Sequence, residues 1–278
     1  MRRHLPSFLL AAAGLLCLWA AGSQNAPLRA ARARATVWVA SDRQDVPPIV
    51  MFTAVVLGGF RGLIADALWL RLIYVQDRFD YFEMVQLADW ITTLEPDCAE
   101  IWVFHAWNLA YNVSVMMPDD ADRWRWVRNG IQLLRDRGIS YNPTDPDLYA
   151  ELAWIFLHKI GMTADPAHPY YRQQWALEMT GLLGSGRVDY DALAARPDTL
   201  RRMREEYRLD FAIMKELDAA HGPLDWTRPE THALYWAYRG TQHKKRGPSL
   251  VCDADTMFRH SLRALSGKTG ETDHVHAP

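Results

Sequence analysis

Pro96-Asp-Cys-Ala-Glu-Ile-Trp-Val-Phe-His-Ala-Trp-Asn-Leu-Ala-Tyr-Asn112 decides how this chain is read. Proline stops the preceding helix, because its ring fixes φ and removes a backbone donor. After Asp97 and Cys98 a new helix opens at Ala99-Glu100, with Trp102 and Ala106 four apart on one face. The arrangement returns 47 residues later as Pro143-Thr-Asp-Pro-Asp-Leu-Tyr-Ala-Glu-Leu-Ala-Trp-Ile-Phe156. Tyr149 stands where Trp102 stood, and Ala153 where Ala106 stood. The small residue lets two helices approach, and the large one a turn earlier fills the space beside the crossing. Helix pairs of this kind cannot bury an apolar face alone, so they stack on neighbours.

Tyr149, Leu152, Ala153 and Phe156 fit the pattern W-x2-L-G-x2-Y, and Trp102, Ala106 and Leu109 fit it with His105 in the leucine position. On these residues the chain resembles the tetratricopeptide repeat. The 47-residue displacement exceeds the ~34 of that repeat, which predicts about 13 inserted residues around Ser114 to Arg125. The resemblance implies an all-α fold of antiparallel helix pairs stacked as a solenoid. It also implies a concave, peptide-binding groove lined by first-helix positions. Carried over, these are Glu100, Val103, Trp107, Ala110 and Tyr111, then Asp147, Ala150, Trp154, Leu157 and His158. Trp107 and Trp154 are equivalent and form an expected aromatic ladder. Versions of the family that clamp a free carboxylate carry Lys and Asn at several of these positions. Val103, Trp107, Ala150 and Trp154 stand there instead, which favours an apolar or aromatic segment of a partner protein. Gly58-Gly-Phe-Arg-Gly-Leu63, Ala88-Asp-Trp-Ile-Thr-Thr-Leu-Glu-Pro96 and Gly222-Pro-Leu-Asp-Trp226 are also similar to membrane-anchored bacterial repeat proteins without an assigned activity.

Composition agrees with a packed domain: 49% of the 278 residues are apolar and 23% charged. A formal net charge of −2 gives no basic surface for nucleic acid. Three cysteines, Cys17, Cys98 and Cys252, are not a disulfide framework, and nothing in the spacing pairs Cys98 with Cys252. Arg2, Arg3 and His4 precede an apolar run from Leu5 to Gly22, the pattern of a signal peptide or signal-anchor. Residues 1–24 are read as that segment, 25–48 as a linker ending in Pro47-Pro48, 49–265 as the helical domain and 266–278 as a disordered tail. The apolar stretch Ile49 to Phe60 is shorter than the ~20 residues a membrane crossing needs, so a buried or interfacial helix is expected there. The expected location is the cytoplasmic membrane, single-pass, with the domain on the periplasmic or exterior side.

Further helices follow from apolar spacing and stop signals. Ile64, Ala67, Leu70 and Ile73 mark one face of a helix over 62–76. Met84, Ala88 and Ile91 mark a helix from Tyr81 to Leu94. Asp119 or Asp120 caps the next, which is expected to close at Gly138 in a left-handed conformation. Helices are also expected over 146–160 and 166–180, after Pro197, from Phe211 behind an Asp210 cap, from about Glu230, and over 256–265.

The chemistry-bearing residues offer little. There is no phosphate-cradling glycine loop, no Cys-x-x-Cys-His, no His-Glu-x-x-His and no Gly-x-Ser-x-Gly elbow. His158 and His168 lie at no metal-ligand spacing, and His274-x-His276 sits in the tail. No catalytic residue, metal or cofactor is therefore expected. His105 reads as a core histidine hydrogen-bonded to a backbone carbonyl. Trp124, Trp126 and the His232, Tyr235, Trp236 group read as packing. The function expected is a non-enzymatic scaffold that holds a protein segment and is attached to the membrane through its N-terminal helix. The alternative is an enzyme or sensor built around His105, His158, His221 and Asp225.

Overall fold

The computed structural model describes residues 61–243 and 253–266, apart from 77, 79, 164 and 186. The expected signal-anchor, the linker, the apolar stretch from Ile49 and nearly all of the tail lie outside the described residues. The chain divides at Asp66 into two units, and the unit from Ala67 onward holds nearly all of the described residues. Its helices are α1 (Arg61–Gln76, which begins before the division), α2 (Tyr81–Leu94), α3 (Ala99–Trp107), α4 (Asp120–Gln132) and α5 (Pro146–Trp154). Then come α6 (His168–Leu183), α7 (Tyr190–Ala194), α8 (Pro197–Glu206), α9 (Phe211–His221), α10 (Pro229–Thr241) and α11 (Ala254–Leu265). Among the described residues there is no strand, and no helix is long and apolar enough to cross a membrane.

Aspartates start many of these helices by accepting from free backbone N–H groups of the first turn. Asp119 accepts from Asp122 N at 2.8 Å, Asp210 from Ala212 N at 2.8 Å and Asp253 from Thr256 N at 2.9 Å. Pro146, Pro197 and Pro229 occupy first-turn positions, where a missing N–H costs nothing.

The core is a row of packed helices: α3 lies against α2, α4 and α5, α5 against α10, and α10 against α11. α3 and α5 are fixed by comparable bonds. Trp102 Nε1 donates to the Pro96 carbonyl at 2.9 Å, and Tyr149 OH donates to the Pro143 carbonyl at 2.8 Å. In each case a large ring reaches back six residues and locks the proline turn onto its helix. In α10, His232 Nε2 meets the Trp226 carbonyl at 2.8 Å over the same six-residue reach.

Close crossings depend on small residues, as the spacing of Ala106 implies. A Cβ on Gly130 of α4 would lie 2.8 Å from the Ala106 carbonyl oxygen, and one on Gly240 of α10 would lie 2.7 Å from Ala254 Cβ. Neither distance is tolerable, so these glycines set how near the helices come.

Three helices continue through wide π-helical turns: α3 through Asn108–Val113, α4 through Leu133–Gly138 and α5 through Ile155–Gly161. Two sequence-based expectations fail in this region. Gly138 does not close its helix: its φ of −53° is helical, and the chain runs on through Ile139–Tyr141. The reason is packing, since Tyr141 stacks on Trp102 with centroids 5.7 Å apart. Nor is there a separate insertion at 114–125, where a short turn joins α3 to α4. The extra length goes into longer helices and their wide turns.

Candidate functional site

The C-terminal halves of α3 and α5 lie side by side and bring four rings into one row, two stacked pairs joined by a contact tilted by 35°. Trp107 stacks on Tyr111 with centroids 5.8 Å apart and planes 21° apart. Tyr111 meets His158 at 5.8 Å, and His158 lies on Trp154 at 4.5 Å and 8°. The order is therefore Trp107, Tyr111, His158, Trp154, crossing from one helix to the other, and all four are half-buried. Tyr111 OH and His158 Nδ1 are 3.3 Å apart, a hydrogen bond across the pair. Burial, and then the neighbouring Lys159 charge, hold His158 below its ordinary value, so the ring is neutral and stacks as an aromatic. Burial first, then Glu151 and Asp165, push the Tyr111 phenol well up.

The other groove positions divide. Glu100 is exposed and accepts from the Cys98 thiol at 3.2 Å, while Asp147 is half-buried in the first turn of α5. Val103, Ala110, Ala150 and Leu157 are buried in the hydrophobic core and line no surface. The structure thus brings together the aromatic members of the expected groove and withdraws the aliphatic ones.

Polar groups lie behind this strip that spacing did not flag. Glu151 is 0% exposed and neither carboxylate oxygen has a hydrogen-bond partner; burial pushes it up to about 8. Asn108, in the wide turn of α3, is also 0% exposed, and its Nδ2 has no partner. Lys159 pairs with Asp165 in the interior and sits 5.2 Å from the Tyr111 ring centroid. Asp165 also accepts from Tyr171 OH at 3.2 Å and from Ala167 N at 2.9 Å. Burial alone would raise Asp165, but the Lys159 and backbone hydrogen bonds hold it below the usual carboxylate value. A signal for Glu151 was present: it is the one charge in the run Leu148–Leu157.

The alternative set does not converge. His105 is buried beside Asp89 and Arg137 and held down to about 4 by burial; its Nδ1 has no partner, so the expected carbonyl bond is absent at that atom. His221 edges onto Phe258 at 5.7 Å, and Asp225 accepts from Thr227 Oγ1 within its own loop at 2.6 Å. Among the described residues no three His, Cys, Asp or Glu side chains are grouped to hold a metal ion. His232, Tyr235 and Trp236 are buried packing, as is Trp124, which stacks on Tyr171 at 5.9 Å. A cleft of about 310 Å³ borders α4, α6 and α8; Arg128 pairs there with Glu178 at 3.4 Å and Arg135 with Asp136 at 2.8 Å, and Glu205 and Glu206 leave its lining acidic.

The chain matches no protein-family model, no curated protein and no solved structure. Its function has to be inferred from the residues themselves.

Proposed function

We propose that this chain is a non-enzymatic scaffold whose helices stack as a tetratricopeptide-like solenoid and whose aromatic strip holds an apolar or aromatic segment of a partner protein. The observation that carries the reading is the continuous row of ring contacts, Trp107, Tyr111, His158 and Trp154, across α3 and α5. Rings fixed by their neighbours lose little entropy when a partner covers them, and partly exposed tryptophans supply a large share of binding energy at interfaces. The comparable proline locks of α3 and α5 support the repeat reading. In this reading the apolar run Leu5 to Gly22 anchors the chain in the cytoplasmic membrane, with the helical body outside the cytoplasm.

The test uses the whole chain and a displayed peptide library. Enriched peptides are expected to be rich in aromatic and aliphatic residues. Trp154→Ala is expected to weaken the selected peptides by about 2 kcal/mol, roughly thirtyfold. Absence of enrichment, or unchanged binding per folded molecule, overturns the proposal.

A further inference from the structure

The outer face of α1 is the least explained surface of the body. From Ala67 to Val75 this helix is apolar on every side except at Arg71. Its inner face is accounted for: Leu72 and Val75 are buried, and Trp69 sets its ring edge-on to Phe104 of α3 with centroids 5.6 Å apart. This packing, with Arg71 paired to Glu83 of α2 at 2.7 Å beside it, fixes the rotation of the helix. That rotation turns Leu70, Ile73 and Tyr74 outward, 71%, 53% and 51% exposed. They stand three and four residues apart, so they form one stripe. A helix apolar all round is one whose second face is covered by something other than water.

The border of the stripe indicates what covers it. Arg71 and Arg78 flank the Tyr74 ring, their guanidinium carbons 5.4 and 5.7 Å from its centroid, and Arg78 Nη1 donates to Tyr74 OH at 3.1 Å. An aliphatic stripe edged by a tyrosine and arginines is the composition of a helix lying in the headgroup layer of a bilayer. Position in the chain points the same way. Of the helices of this body, α1 is the one next in sequence to the apolar runs Leu5 to Gly22 and Ile49 to Phe60.

We propose that Leu70, Ile73 and Tyr74 seat α1 flat on an anionic bilayer, with Arg71 and Arg78 at the headgroups. This contact is separate from any anchoring by the N-terminal run and does not depend on the aromatic strip.

The whole chain, with Cys17, Cys98 and Cys252 changed to serine, is reconstituted into vesicles of equal parts phosphatidylcholine and phosphatidylglycerol. A polarity-sensitive fluorophore is attached at Ile73→Cys or, as a control on α8, at Arg201→Cys. Both positions are exposed, so neither label disturbs the core; circular dichroism checks each protein. The expected result is blue-shifted emission at position 73, with most of it lost to lipid-borne quencher and little to aqueous iodide, while position 201 shows the reverse. Quenching of position 73 by iodide places the stripe in water and overturns the proposal. Shielding from both quenchers places it against protein, either the N-terminal segment or a second copy, and overturns it equally. In the supporting case, Leu70→Glu combined with the label at 73 is expected to abolish the lipid quenching.

Discussion

Replacing Glu151 by glutamine removes a carboxyl whose ionised form the fold cannot solvate, while keeping the shape of the side chain. The carboxyl is held at about 8 against an ordinary 4.5, with burial as the cause. Between those values the folded chain holds a proton that the unfolded chain has released. The contribution of Glu151 to stability is therefore greatest below pH 4.5 and is lost as pH rises through about 8. At about 1.4 kcal/mol per pH unit, the gap sets a ceiling on the order of 5 kcal/mol. Relaxation and water penetration reduce it, and a fall of about 2 kcal/mol is expected. His105 and His232 act in the opposite sense. Both are held down to about 4, so each binds fewer protons folded than unfolded, and their contribution rises between pH 4 and 6.5. The wild-type chain should thus be most stable near pH 6.5 and weaken above it. Chemical denaturation from pH 4.5 to 9 measures this directly. Glu151→Gln should flatten the fall above pH 6.5 and steepen the rise below it, because the Glu151 loss that runs from pH 4.5 to about 8 is gone. Parallel curves for the two proteins above pH 6.5 would refute the reasoning, because they would mean that Glu151 ionises as freely in the fold as in water.

Gly130→Ala forces a Cβ to 2.8 Å from the Ala106 carbonyl and should cost about 1–3 kcal/mol in thermal or denaturant unfolding. Lys159→Met leaves the buried Asp165 carboxylate with Arg123 at 3.7 Å as its remaining cation and should cost about 3 kcal/mol; Lys159→Met with Asp165→Asn should recover much of that loss, as unfolding of both variants will show. Tyr149→Phe removes the bond to the Pro143 carbonyl and should cost about 1 kcal/mol by the same measurement. Trp107→Ala and Trp154→Ala should lower stability by less than the roughly 3–5 kcal/mol of a core tryptophan, because both rings are half-exposed. A reporter fused after Pro278 should be active only as an export-dependent enzyme if the body lies outside the cytoplasm.

Helix placement was largely legible because the signals were local. The four-and-three spacing of Met84, Ala88 and Ile91 with Pro96 behind it marks Tyr81 to Leu94, the observed bounds of α2. Asp119, Asp210 and the first-turn prolines mark starts for the same reason. Gly138 was misread because a glycine before a polar stretch looks like a stop, and the contact that overrides it comes from Trp102, distant in sequence. The rings of the strip could be named from the repeat positions, but their order could not: His158 lies between Tyr111 and Trp154, and only the pairing of α3 with α5 puts it there. Glu151 escaped because spacing assigns it to a helix face without saying that both sides of that face are filled.

The wide turns of α3 and α5 begin at Asn108 and Ile155, each 12 residues after the proline, Pro96 or Pro143, that precedes its helix. Each holds one more residue per turn than its helix otherwise would. A single-residue insertion in a helix swings everything after it by about 100°. On the repeat reading proposed above, one insertion in an ancestral helix that was later copied would account for both. If the two segments share that ancestor, the widened turn is older than the duplication. Deleting one residue from a single copy would turn its rings out of register with the other's.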